Sequence, residues 1–176
     1  GNIVWEWHVW DHLIQDYSSA MDNFGVVAEH PELVDINYGV VNGIADWTHF
    51  NGIDYNAELD QIVVSARRFS EIWVIDHSTT TAEARGHSGG RSGKGGDLLY
   101  RWGNPLTYRA GTVADQMLFK QPDAHWIPAG LPGAGSVMVF SNGLGRPVDQ
   151  YATVDQFTMP TPHPVKGTYA MQNGVW

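Results

Sequence analysis

Gly1-Asn2-Ile3-Val4-Trp5-Glu6-Trp7 aligns without a gap to Gly96-Asp97-Leu98-Leu99-Tyr100-Arg101-Trp102. Both copies read Gly, polar, aliphatic, aliphatic, aromatic, charged, Trp, and a third start, Gly174-Val175-Trp176, stands at the last residues. Aromatic and aliphatic residues announced by a glycine belong in strands. Self-similarity at long spacing is the mark of a repeat architecture.

Between the two copies lies a meander. His49-Phe50-Asn51-Gly52-Ile53-Asp54-Tyr55 reads as a short strand, and Asn56-Ala57-Glu58-Leu59-Asp60 as a turn with Asn and Asp at its ends. Gln61–Ala66 is a second strand, Arg67-Arg68-Phe69-Ser70 a four-residue hairpin loop, and Glu71–His77 a third strand. After a Gly-rich stretch, Leu98–Trp102 supplies the fourth. The cycle restarts with Asp123–Ile127, Ser136–Phe140, Tyr151–Phe157 and a stub at Trp176.

Four antiparallel strands closing on a Gly-led aromatic strand make one blade of a β-propeller. The expected fold is therefore all-β, a propeller portion of about two four-stranded blades at roughly 49–102 and 123–176. A strand of a preceding blade, Val4–Trp10, comes first, then an irregular connector over 11–45 with Pro31–Asp35 as a helical turn. Propellers close with about four blades or more. The expectation is a section of a longer propeller chain, or a ring completed by further blades or by homo-oligomer partners. An independent β-sandwich is the alternative.

The 176 residues are 43% hydrophobic, 12% aromatic and only 16% charged, which excludes a disordered chain. No apolar run reaches the length of a membrane helix. The net charge is −9 without a basic block, which excludes a nucleic-acid partner but leaves a local site for a small anion open. Cysteine is absent, so neither a disulfide nor a thiolate nucleophile is possible, and the compartment stays open.

Several patterns invite chemistry and fail. His8 and His12 have i, i+4 spacing, but on a strand, and no third ligand stands nearby in sequence; the reading is a structural or gating role. Asp11-His12 and Asp76-His77 are neighbours on strands, so their side chains point to opposite faces. Gly89-Gly90-Arg91-Ser92-Gly93-Lys94-Gly95-Gly96 lacks the spacing of a phosphate loop and reads as a flexible insertion.

The stretch that survives is Asp46-Trp47-Thr48-His49-Phe50-Asn51. Alternation puts His49, Asn51, Ile53 and Tyr55 on one face of a strand lining the channel. Arg67 follows His49 by 18 residues, at the rim. His, Asn and Arg converging there suit an oxyanion; a structural histidine is the other reading. His125 holds nearly the equivalent position in the second blade.

Ile3–His12, Asp46–Asn51, Glu71–Ser78, Leu99–Pro105 and Asp123–Pro128 together resemble the bacterial aryl-sulfate sulfotransferase family, the type that needs no nucleotide sulfate donor. The likeness spans nearly the whole chain. It implies a six-bladed propeller, a periplasmic or secreted location, a phenolic sulfate donor, a phenol acceptor, and no cofactor or metal. It also implies transfer through a sulfohistidine intermediate, with His49, Asn51 and Arg67 at the sulfate-binding His, Asn and Arg. The family's next blade opens with Gln-His, where this chain has Gln121-Pro122. His125 is then either a recruited catalytic histidine or a less critical one, and the chain either an enzyme portion or a non-catalytic binding or structural relative. Tested alone, it is expected to be inactive.

Overall fold

The computed structural model describes residues 1–39 and 45–176. Along the chain run β1 (Leu13–Ile14), β2 (Val34–Asp35), β3 (Phe50–Asn56), β4 (Gln61–Ala66) and β5 (Glu71–Asp76). A one-turn helix α1 (Thr81–Ala84) follows, then β6 (Tyr100–Trp102), β7 (Asp123–Trp126), β8 (Val137–Ser141) and β9 (Thr153–Phe157). β3 to β6 form one antiparallel sheet in sequence order, and β7 to β9 a second. The protein is all-β with a few single-turn helices, as its sequence pattern required.

β4 and β5 are buried along their whole length. Their Ile-Val-Val and Ile-Trp-Val-Ile runs are continuous rather than alternating, because both faces of these central strands are covered. On one face Val63, Ile72 and Val74 pack with Ala124, Trp126, Val137 and Val139 of the second sheet. On the other, Ile62, Val64, Trp73 and Ile75 lie under Trp5, Trp7, Val9, Leu13, Val34 and Tyr38 of the N-terminal part. The two sheets meet at β3 and β7: a Cβ on Gly52 would stand 3.0 Å from the Cα of Asp123, and Trp126 donates its amide to Asp54 at 2.8 Å. A side chain at position 52 would crowd the Asp123 backbone, which suits glycine there.

Three expectations need correction. Gly1–Trp7 forms no strand, and Val9–His12 is a 3₁₀ turn. The equivalent second copy pairs with β5, where Trp102 opposes Ile72 and Leu99 donates to Val74. Among the described residues the first copy meets no strand edge, so its tryptophans lie over the sheet instead, Trp5 donating to Thr79 at 3.2 Å and Trp7 to the Gly96 carbonyl at 2.7 Å. The fourth strand expected at Trp176 is missing as well: the second sheet has three strands, and Trp176 donates to the Tyr169 carbonyl at 3.2 Å.

The third correction lies in the connector. Pro31–Asp35 is not a helical turn. Val34–Asp35 pairs in parallel with Leu13–Ile14, and the short helix sits earlier, at Val27–Glu29. Of the connector, residues 40–44 lie outside the described residues.

Candidate active site

The β4–β5 hairpin carries the candidate site. Its four loop residues close by backbone bonds from Phe69 to Ala66 and from Ser70 to Arg67, both 3.1 Å. The segment before β3 is laced to it: Arg67 donates its amide to the His49 carbonyl at 3.4 Å and Arg68 to the Thr48 carbonyl at 3.2 Å. His49 and Arg67, 18 residues apart in sequence, are thus neighbours at the level of the backbone, across one rung of the ladder.

His49 stands in the left-handed region at φ 50°. Its Nδ1 bonds the Asp46 carboxylate, which also lies 3.6 Å from the Arg68 guanidinium. The bond from His49, helped by Arg68, holds the Asp46 carboxyl below the usual carboxylate range. An ionised carboxylate only accepts, so Nδ1 carries a proton, and Nε2 is the nitrogen that the Asp46 bond leaves free. Nε2 makes no hydrogen bond among the described residues.

A third cation joins the two arginines. Lys120 has a left-handed backbone (φ 57°), donates its amide to the Ser70 hydroxyl at 3.2 Å and its Nζ to the Arg68 carbonyl at 2.9 Å. Its ammonium is held below the ordinary lysine value, first by burial and then by the charges of Arg67 and Arg68. Arg67 has no ion-pair partner among the described residues, and the Arg68 Nε is buried without an acceptor. Three neighbouring cations beside an oriented imidazole, in a chain of net charge −9, are an arrangement that can hold a small anion.

The strict alternation from His49 through Tyr55 does not hold. His49 lies outside β3, and the ladder slips at Asn51, between the pairs Phe50–Ala66 and Gly52–Ser65. From there on the pattern returns, with Asn51, Ile53 and Tyr55 exposed. Asn51 opens into a groove of about 630 Å³ lined by Trp5, Trp7, Trp10, Thr48 and Phe50, beside the cation cluster rather than in it.

Gln121 and Pro122 adjoin the cluster. Gln121 is fully buried, donates to the Glu71 carbonyl at 2.5 Å, and its own carbonyl accepts from Ser65 at 3.0 Å, two residues before Arg67. His125 is elsewhere. In β7, Ala124 and Trp126 pack toward the first sheet, so His125, paired with Met138, points away from it. Its Nδ1 meets Asp123 at 3.0 Å.

Sequence reading missed Arg68 and Lys120. Both adjoin residues it had marked, Arg67 and the Gln121-Pro122 pair, but nothing local joins the two stretches. No curated protein and no solved structure matches the chain significantly. The model of the family described as Arylsulfotransferase (ASST) matches residues 1–161, and the chain belongs to that family.

Proposed function

We propose that this chain is the sulfuryl-binding part of a six-bladed propeller that transfers a sulfuryl group from a phenolic sulfate to a phenol. The observation that carries the reading is the convergence of Arg67, Arg68 and Lys120 beside the Asp46-bound His49. In the reaction a nucleophile forms a bond to sulfur as the sulfur–aryl oxygen bond breaks, and the departing phenolate takes up a proton; the acceptor phenol then attacks sulfur, gives up its proton and breaks the bond to the nucleophile. Negative charge builds on the departing aryl oxygen while the sulfuryl oxygens keep theirs, and neighbouring cations stabilise both. His49 and Arg67 contact the sulfuryl group, and Asn51 adds a hydrogen bond from the groove side. The all-β fold and the family support transfer chemistry of this class. A periplasmic or secreted location is the expectation the family supports, and among the described residues no helix is long and apolar enough to cross a membrane.

The covalent step needs a histidine nucleophile, and position 122 is proline. That one residue favours a second reading, a relative that binds aryl sulfates without turning them over. The test is phenol release from a chromogenic aryl sulfate with a second phenol as acceptor, on the chain as it is, on Pro122→His, and on both within a six-bladed protein. Turnover only in the Pro122→His forms supports the enzyme reading with position 122 as the nucleophile site. Binding without turnover in every form supports the second reading, and neither binding nor turnover refutes both.

A further inference from the structure

His12, His87 and Asp97 come from distant parts of the chain and meet at one carboxylate oxygen. His12 closes the Val9–His12 turn, while His87 and Asp97 flank the Gly-rich loop between α1 and β6. His12 Nδ1 lies 2.9 Å from Asp97 Oδ1, and His87 Nδ1 lies 2.7 Å from the same atom. The two rings stand nearly perpendicular, at 89°. All three candidate ligand atoms fall within 4.8 Å of one another.

The other nitrogen of His12 decides what this arrangement means. Nε2 lies 2.8 Å from the Ala84 carbonyl, which can only accept, so it carries a proton. Nδ1, on the other side of the ring, faces the Asp97 carboxylate oxygen across 2.9 Å, in a place where His12 is wholly buried. A cation, either a proton or a metal ion, stands between that nitrogen and the carboxylate. A backbone carbonyl on the far nitrogen is the usual support of a metal-bound histidine.

We propose that His12 Nδ1, His87 Nδ1 and an Asp97 oxygen bind a divalent first-row transition ion of the zinc type. Two imidazoles and one carboxylate suit such an ion, whereas calcium demands six or more oxygens. Ligands of a tetrahedral zinc stand about 3.3 Å apart, given bond lengths of about 2.0–2.1 Å. The present spacings of 2.7 and 2.9 Å reach that with an opening of a few tenths of an ångström. A fourth position is open to water, because His87 is exposed and borders a cavity of about 320 Å³ shared with Asp11 and His30.

The surroundings are built for this cluster. The Trp7 ring stacks on His12 at 5.5 Å with 2° between planes, and holds the Gly96 carbonyl. A Cβ on Gly96 would stand 2.1 Å from the Ala84 carbonyl and 2.6 Å from His12 Nε2. Gly95, at φ 60°, would likewise strike the Gly86 carbonyl at 2.2 Å. The Gly-rich stretch is therefore no loose insertion. It is a hydrogen-bonded loop, with Gly95 donating to Gly89, Gly96 to Gly86, and Ser92 to Asp76, whose glycines give the clearance that brings Asp97 to His12. It leaves from the C-terminal end of β5, and the cation cluster sits at the N-terminal end, so the ion would clamp the N-terminal segment rather than join the sulfuryl site.

The experiment titrates ZnCl2 into chelator-treated protein by calorimetry, with Co2+ absorption as a check on coordination. The expected result is one ion per chain, an unfolding midpoint raised by zinc, and binding weakened at least about tenfold in His87→Ala. That variant keeps its circular dichroism, because His87 is exposed. His163→Ala, at an exposed histidine away from the cluster, leaves binding unchanged. Absence of saturable binding, or equal affinity in His87→Ala, overturns the proposal and leaves a shared proton in the ion's place.

Discussion

Glu71 and Arg101 form an ion pair at 2.6 Å with neither side chain reaching solvent. The guanidinium also donates to Thr107 at 2.8 Å and to the Pro31 and Leu33 carbonyls at 3.2 and 3.0 Å, while Trp73 donates to the same carboxylate at 2.8 Å. One buried pair thus ties the first sheet to the connector that covers it. Removing one partner leaves a buried charge uncompensated, which costs about 3–5 kcal/mol. Arg101→Met is expected to lose that much in urea unfolding, and a double variant with Glu71→Leu to regain a good part of it. A loss under about 1 kcal/mol in the single variant would contradict the assignment.

Lys120 gives a prediction about pH and anions. Its ammonium is disfavoured in the folded state, so its folded pKa lies below the unfolded one. The resulting penalty is fully present below the folded pKa and fades as pH rises through it toward the unfolded value. Lys120→Met is therefore expected to be more stable than the parent at neutral pH, with the gap closing in the alkaline range. An added anion neutralises the same repulsion, so sulfate should raise the melting temperature of the parent more than that of the variant. Sulfate affinity should fall about tenfold on loss of one charged donor. Equal sulfate responses in the two proteins would remove Lys120 from the site.

His125 is the other histidine that the family likeness offered as catalytic. Because it faces away from the first sheet, His125→Ala in a Pro122→His background should leave the rate of aryl-sulfate turnover within about twofold, whereas His49→Ala should lower it by about a hundredfold or more. The comparison is made by initial rates of phenol release in a protein that carries the proposed six blades. A collapse in the His125 variant with its fold intact would show that β7 is turned the other way during turnover.

Gly52 marks the closest approach of the two sheets. A methyl group there meets the Asp123 Cα at 3.0 Å and the Ala124 nitrogen at 3.2 Å, both backbone atoms, besides the Asp123 carboxylate at 3.2 Å. Gly52→Ala is expected to destabilise by about 1–3 kcal/mol, as overpacking does. It should also weaken the Trp126–Asp54 bond, read as faster amide exchange at Trp126. An unchanged exchange rate would mean that the sheets slide apart without cost.

The seven strands of the two sheets were legible because their signals are local. Alternation, β-branched runs and the turn residues at Asn56–Asp60 and Arg67–Ser70 act within a few positions, and the ladder from Phe50 to Trp102 follows from them. The resemblance of the chain's motifs to the sulfotransferase family also pointed to the class of chemistry, and the proline at position 122 to its open question. What the sequence could not decide is which residues meet when distant segments pack. Two copies of one repeat behave differently because only the second finds a strand edge, and backbone hydrogen bonding, unlike side-chain pattern, needs a partner. The third cation of the site, Lys120, reaches Arg68 only through the packing of one sheet on the other. His12, which in sequence pairs with His8 and lacks a third ligand, is carried by the fold to Asp97 and His87 instead.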